Sequence, residues 1–501
     1  MEYRSTRGSG CRQTSAGAIL YGLAPDGGLF VPETIPQFTA GELAEMGNLP
    51  YPELAAQILS RWLPDYSRDE LLSYCQAAYA PERFGGAEPA PLHAVGDGVH
   101  VLELWHGPTC AFKDFALQLL PWLLPAASRK CGADKKIAIL VATSGDTGKA
   151  ALAGFAGVPG TCIGVFYPDG GVSDMQRLQM VTQEGENVAV FAVRGNFDDA
   201  QSGVKAIFGN QELAAELADR GILLSSANSI NWGRLAPQIV YYFSAYARLV
   251  RQGAVQPGQK VSFCVPTGNF GNILAGYLAK KSGLPVEKLV CASNENHVLA
   301  DFIETGVYDR NRPFVQTQSP SMDILVSSNL ERLLFLLSGR DAARCRGWME
   351  SLQRDGRYEI GAELLGALHD EGFVCGWADD AQTSAEIARE FRRSGYLCDT
   401  HTGVAMRVQR KYRERTGDST PMVVLSTASP FKFAPAILAA LGSDAGSDEF
   451  ESLGRLAELS GQPAPESLSG LRQKPVRFDE VCTKEAMRDV VCRWLEGEIQ
   501  Q

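Results

Sequence analysis

Residues 137–150 read Ile137-Ala138-Ile139-Leu140-Val141-Ala142-Thr143-Ser144-Gly145-Asp146-Thr147-Gly148-Lys149-Ala150. Six apolar residues run without alternation into a glycine-containing turn, and a helical pattern follows. An unbroken apolar run of this length fits a strand covered on both faces, as in a parallel sheet. A second stretch repeats the arrangement. Val261-Ser262-Phe263-Cys264-Val265 leads into Pro266-Thr267-Gly268-Asn269-Phe270-Gly271-Asn272, with a helix from Ile273 onward. Further apolar runs lie at 161–166, 187–193, 288–292 and 422–425, and helical windows at 174–182, 200–208, 237–250 and 272–282 lie between them. Strands alternating with helices predict an α/β fold of parallel-rich sheets. The spread from 137 to 425 predicts two such units.

The flanks read differently. After an irregular start, Ala24-Pro25-Asp26-Gly27-Gly28 marks a turn, and a short apolar piece at 29–31 ends at Pro32. Helical periodicity follows at 52–62 and 68–78. The expected organisation is therefore a mainly helical N-terminal domain at 1–95 and an α/β core at 96–440. Within the core a smaller α/β subdomain is expected at about 115–245. A tail at 441–501 is expected to begin with a Gly/Ser/Asp-rich linker at 442–448 and to close with an amphipathic helix at 479–496.

Composition narrows the function classes. The length of 501 residues points to about three structural units. With 45% hydrophobic and 21% charged residues, the chain is built to fold rather than to stay disordered. A net charge of −11 argues against general nucleic-acid binding, which needs a basic face. The longest apolar stretch, 116–127, is interrupted by Gln118, Pro121 and Pro125 and falls short of the ~20 residues of a membrane helix. No membrane partner and no secretory leader are expected. The 12 cysteines form no C-x-x-C pair and the six histidines no H-x-x-x-H pair, so reduced thiols, a cytoplasmic location and no dedicated metal site are expected.

The chemistry concentrates in the two glycine loops. Glycine permits the positive φ angles that let successive N–H groups converge, and the following helix adds its partial positive charge. Each loop is either a plain strand-to-helix turn or a cradle for a phosphate or carboxylate. Two in one chain favour an anion-rich ligand beyond the carboxyl ends of the strands. A nucleotide P-loop does not fit, because Thr143 and Ala150 stand where glycine and a hydroxyl residue would be needed. Upstream lies Trp105-His106-Gly107-Pro108-Thr109-Cys110-Ala111-Phe112-Lys113-Asp114-Phe115. Lys113 reads either as a solvated helix lysine or as an amine whose pKa is lowered by apolar neighbours and which can react with a carbonyl.

These motifs together resemble the threonine synthase family, in its long form, among the pyridoxal-phosphate enzymes of fold type II. The matching stretches are Tyr3-Arg4-Ser5-Thr6-Arg7-Gly8, Gly22-Leu23-Ala24-Pro25-Asp26-Gly27-Gly28-Leu29, His106-Gly107-Pro108-Thr109 with Ala111-Phe112-Lys113-Asp114-Phe115, and Thr143-Ser144-Gly145-Asp146-Thr147-Gly148. They continue with Ala227-Asn228-Ser229-Ile230-Asn231 and Arg234, Gly268-Asn269-Phe270-Gly271-Asn272, and Ser426-Thr427-Ala428 with Lys432-Phe433. They occur in family order along most of the chain.

The resemblance implies pyridoxal 5'-phosphate as cofactor and O-phospho-L-homoserine as substrate, converted with water to L-threonine and phosphate. It implies that Lys113 carries the cofactor and moves protons at Cα and Cβ. It places Gly268, Asn269, Phe270, Gly271 and Asn272 around the cofactor phosphate, Asp146 toward the cofactor's 3' oxygen and Thr427 at the ring nitrogen. Asp146 departs from the asparagine found in many fold type II relatives. Thr143, Ser144 and Thr147 match the grip on the substrate carboxylate, and Asn228, Ser229 and Arg234 the substrate phosphate. For Arg234 a structural ion pair is the other reading. His106 is expected to brace its loop, His401 to support the site from behind, Lys149 to be a solvated helix lysine, and Cys110 to be a small buried residue. A monomer or weak homodimer is expected. The alternative activity on the same scaffold is a phospho-lyase that yields 2-oxobutyrate, and a non-catalytic binding protein is a third reading.

Overall fold

The computed structural model describes residues 1–133, 135–143 and 145–499. The smaller of its two main sheets orders its strands as Val481–Thr483, Val188–Arg194, Thr161–Pro168, Lys136–Ala142 and Ile222–Ser225, all parallel to their neighbours. The larger orders Phe373–Trp377, Val286–Ser293, Val261–Pro266, Met422–Ser426, Val99–Glu103 and Leu92–Gly96. Its first five strands are parallel, and the edge strand Leu92–Gly96 is antiparallel to its neighbour. The chain starts the larger sheet, builds most of the smaller one between 136 and 225, and returns through the helix Trp232–Arg251.

The unbroken apolar runs have a direct cause. Ile137, Ile139 and Val141 belong to the main core, whereas Ala138 and Leu140 face a second core that also holds Met487, Val491 and Leu495. A strand buried on both faces has no polar side to alternate with. Likewise Phe263 and Val265 face the main core and Cys264 a third one.

The N-terminal helices Tyr51–Trp62 and Arg68–Ala78 form where the periodicity predicts them. The second begins with a capping box in which Ser67 and Glu70 satisfy each other's backbone N–H. Trp62 and Tyr3 pack on Trp232 with ring centroids 5.8 and 5.3 Å apart. Truncating a buried tryptophan of this kind costs about 3–5 kcal/mol. The helix Trp232–Arg251 is buried nearly all round because it lies between the helix Tyr51–Trp62 and the helix Gly271–Lys281. Arg7 grips Glu331 through a two-bonded fork at 2.9 and 2.8 Å, and Thr6 donates to the same carboxylate. The Tyr3–Gly8 motif is thus the strap that ties the N-terminus to the helix Leu330–Leu337.

Two features depart from the sequence reading. The helix expected at 479–496 is a strand, Val481–Thr483, followed by a helix, Met487–Ile499. The triplet Val481-Cys482-Thr483 pairs with Ala192–Arg194, and the helix then fills the second core, with the Trp494 ring against Gly164. The stretch after 441 is no loose appendage, since Leu453, Leu456, Leu468 and Leu471 fill the third core. The strands Leu92–Gly96, Val99–Glu103 and Phe373–Trp377 were not foreseen, being short or carrying polar residues such as His93, His100 and Glu103. Among the described residues no helix is long and apolar enough to cross a membrane. All 12 cysteines are free thiols.

Candidate active site

The turn before Lys113 is clamped from several sides. A Cβ on Gly107 would lie 2.5 Å from the Asp114 side chain, so only glycine fits. Asp114 accepts the backbone N–H of Thr109 at 2.9 Å and its hydroxyl at 2.7 Å. Burial pushes the Asp114 carboxyl up to about 6, against those bonds. Cys110 takes a left-handed φ of 57°, which costs a non-glycine residue about 1 kcal/mol or more. The Phe112 N–H donates to the Thr427 carbonyl at 2.8 Å and the Ser429 N–H to the Cys110 carbonyl at 3.0 Å. Thr427 is therefore fastened directly beside the lysine turn. Lys113 Nζ lies 3.2 Å from Ser321 Oγ and 3.5 Å from Asp146 Oδ2. Burial pushes its pKa down, and the Asp146 charge opposes this.

Asp146 opens the helix Asp146–Phe155 after Gly145, whose φ is 138°. A Cβ there would fall 2.4 Å from the Gln176 amide. Burial alone would raise the Asp146 pKa, but Lys432 and Lys113 hold its carboxyl well below the usual range, so it is ionised. Lys432 Nζ contacts Asp146 Oδ1 at 2.6 Å. Thr143 Oγ1 accepts the N–H groups of Gly145 and Gly148 at 3.0 and 2.9 Å and donates to the Gly145 carbonyl at 3.1 Å. In this structure the hydroxyl shapes the loop. Thr147 is half-buried in the first turn of the helix. Ser144 lies outside the described residues.

The second loop caps the helix Gly271–Lys281 with Phe270 at φ 61°, and no side chain caps that N-terminus. The Phe270 ring is held by stacking on Phe373. Gly268 passes so close to the chain at Ser321 that a Cβ would lie 2.7 Å from its carbonyl oxygen. The Asn269 carbonyl accepts the backbone N–H and side-chain Nδ2 of Asn329 at 3.1 and 3.0 Å. Asn329 Nδ2 also reaches the Ser229 carbonyl at 3.3 Å, which joins this loop to the 228–231 turn. Arg332 in turn binds Asn329 Oδ1 and, at 2.5 Å, the Ile230 carbonyl. Asn272 Oδ1 accepts the Tyr241 and Tyr242 hydroxyls at 2.7 and 2.9 Å. Those bonds fix the amide so that Nδ2 is a buried donor without a partner among the described residues.

Arg234 is 3% exposed, on the first turn of the helix Trp232–Arg251. One Nη donates to the Ala227 carbonyl at 2.6 Å, and Nε has no partner among the described residues. Burial pushes its pKa down to about 10, and no carboxylate among the described residues offsets it. The ion-pair reading of Arg234 is therefore not what the structure holds. Asn228 and Ser229 are half-buried just before this helix.

The ambiguous residues find definite places. His401 Nδ1 bonds Asp399 at 2.7 Å and its Nε2 accepts the Ser321 N–H at 3.2 Å, so the ring supports Ser321 from behind. His106 bonds Glu103 at 2.6 Å and stacks on Trp105. Lys149 is not solvated as expected. It is half-buried, donates to Gln183 Oε1 at 2.6 Å, and burial pushes its pKa down to about 8. Cys110 is buried, and burial pushes its thiol up to about 11. Sequence reasoning gave no role to Ser321, Asn329, Arg332 or Lys432. Lys432 stood in a matched motif, whereas Ser321 and Asn329 lie in an irregular stretch that carries no local pattern.

A phosphate-bearing carbonyl cofactor fits these residues. The uncapped helix start and the orphaned Asn272 Nδ2 are donors suited to an anion, and Lys113 is a desolvated amine joined to that loop through Ser321, which touches both Lys113 and Gly268. Gly268→Ala is expected to weaken pyridoxal phosphate binding about 10–100-fold, since the added carbon meets backbone rather than a side chain that could move. Titration of the apoprotein with cofactor checks this, and unchanged affinity would show that the loop does not hold the group.

Comparison with known proteins follows the same lines. Residues 87–428 match the family described as pyridoxal-phosphate dependent enzyme, residues 2–79 the threonine synthase N terminus, and residues 402–491 the threonine synthase C-terminal family. The chain is similar to threonine synthase of Methylobacillus glycogenes, with 38% identity over 96% of each chain. It is also similar to threonine synthase-like 1 of Homo sapiens, with 42% identity over 85% of this chain, but it spans only 57% of that relative's length. A crystal structure of PLP-bound threonine synthase from Brucella melitensis superposes with a TM-score of 0.87, at 38% identity and 98% coverage of both chains.

Proposed function

This chain belongs to the threonine synthase family of fold type II, pyridoxal-phosphate-dependent enzymes, and from that premise we propose that it converts O-phospho-L-homoserine and water to L-threonine and phosphate. The observation that carries the reading is the buried, unpaired Arg234 guanidinium in a site with two further anion cradles and one desolvated lysine. A phosphorylated amino acid and a phosphorylated cofactor together present one carboxylate and two phosphates to them.

When bound, the cofactor supplies an electron sink for charge developing at carbons near the substrate amine. The protein's residues do the rest. Gly268–Asn272 hold the cofactor phosphate through the uncapped helix N–H groups and Asn272 Nδ2. Thr427 takes the ring nitrogen, and Asp146 takes the 3' oxygen side. The N–H groups at the start of the helix Asp146–Phe155, with Ser144 and the Thr147 hydroxyl, take the substrate carboxylate. Arg234 binds the substrate phosphate and stabilises it as it leaves, assisted by Asn228 and Ser229. Lys113 Nζ removes the Cα proton and serves as proton carrier at Cβ. Ser321 Oγ, at 3.2 Å, orients that nitrogen.

The second reading on the same scaffold is a phospho-lyase that releases 2-oxobutyrate, which would need the same lysine and the same anion-binding loops. The match over nearly full length to a threonine synthase supports the first. Incubation with O-phosphohomoserine separates them. Equimolar phosphate and threonine are expected, and 2-oxobutyrate as the main product would overturn the first reading.

A further inference from the structure

Asp146 is gripped by two lysines on different oxygens. Lys432, from the turn Pro430–Phe433, lies 2.6 Å from Oδ1, and Lys113 lies 3.5 Å from Oδ2. Lys432 also donates to the Thr109 carbonyl at 3.2 Å, which ties it to the lysine turn, and its side chain is 2% exposed. Ser321 Oγ donates to Oδ2 at 3.4 Å and Gln176 Nε2 to Oδ1 at 3.4 Å. We propose that Lys432 is a positioning residue: by holding Oδ1 it turns Oδ2 to Lys113 and Ser321, and by carrying the counter-charge it lets Lys113 act as a free amine.

The charges around the pair make the case. Asp146 is faced by Lys113, Lys432 and, from the helix Thr400–Thr416, His401. Lys113 is faced by Asp146, Lys432 and Arg234, with the Phe112 ring 5.3 Å away. Asp114 beside it is bound to Thr109. A carboxylate next to a lysine ordinarily keeps it as an ammonium, which can neither take a proton nor attack a carbonyl. Here the carboxylate is already matched by a second buried cation, so its field at Lys113 is largely cancelled. Lys432 simultaneously offsets the cost of burying Asp146, for which Lys113 would otherwise have to serve as the counter-ion. The arrangement lets the chain use aspartate where a neutral amide would impose no charge on the lysine.

The inference rests on Lys113 being the reacting amine in the proposed function, but it does not depend on the product formed. The test is competitive labelling of full-length apoprotein with acetic anhydride across pH, read at the Lys113 peptide by mass spectrometry. Lys432→Met is expected to move the Lys113 midpoint up by about one unit, so that labelling below the midpoint falls about tenfold. Lys432→Arg is expected to keep the wild-type midpoint. Asp146→Asn, which leaves Lys432 facing Lys113 without a carboxylate, is expected to move it down, and the double variant Asp146→Asn/Lys432→Met to return it toward wild type. The Asp146→Asn and double-variant arms stand even where Lys432→Met fails to fold. In the holoenzyme the acid limb of the kcat pH profile should follow the same order. A midpoint unmoved in Lys432→Met, or unmoved in Asp146→Asn, would overturn the proposal.

Discussion

Lys113→Ala abolishes turnover of O-phosphohomoserine while the protein stays folded. The expected loss in kcat is about 10³-fold or more, because proton transfer at a positioned base alone contributes about 10²–10⁴-fold and covalent attachment of the cofactor is lost with it. The fold survives for a specific reason. Removing Lys113 does not strand its partner, since Asp146 keeps Lys432 at 2.6 Å. It also removes an amine whose charged form burial disfavours. Phosphate release measured alongside a thermal melt checks both halves. A rate within tenfold of wild type would refute the assignment of Lys113, and collapse of the melt would refute the claim that Asp146 is independently paired.

Arg234→Met is expected to lower kcat/KM about 10²–10³-fold without destabilising the free enzyme. The two effects have opposite origins. In the free protein Arg234 is a buried cation that rests on the Ala227 carbonyl and faces no acid among the described residues, so an apolar side chain of similar length relieves a desolvation cost. With substrate bound, the same guanidinium meets a phosphate, and losing one partner of a buried charge pair costs about 2–5 kcal/mol. Arg234→Lys should recover little, because an ammonium lacks the planar fork. Steady-state kinetics and a melt on the same preparations test this. An unchanged kcat/KM, or a large fall in melting temperature, would show Arg234 to be structural.

Much of this was legible locally. Strands 137–142 and 261–265 declared themselves because burial on both faces leaves an unbroken apolar run. The glycine loops were legible as strand-to-helix turns, each open to reading as a plain turn or as an anion cradle. Thr143 was legible as a loop residue, but not its bonds to the Gly145 and Gly148 N–H groups, which the turn geometry sets. The strand Val481–Thr483 was missed because its pairing partner, Ala192–Arg194, lies far outside the local window, and the edge strand Leu92–Gly96 because it is short and its polar His93 and open face break the apolar pattern, although its partner follows at once.

The sequence by itself pointed to the class of chemistry: a lysine in an apolar turn, two strand-to-helix glycine loops, and the motifs that resemble one enzyme family. Only the tertiary structure decided the electrostatics. Lys432 and Asp146 are 286 positions apart, Ser321 and Lys113 are 208 apart, and Arg234 is buried with no carboxylate beside it among the described residues. Local patterns report what a segment buries. The charge state of a buried group depends on which distant side chains the fold brings within a few ångströms, and at that range burial and neighbouring charge outweigh anything the adjacent residues contribute.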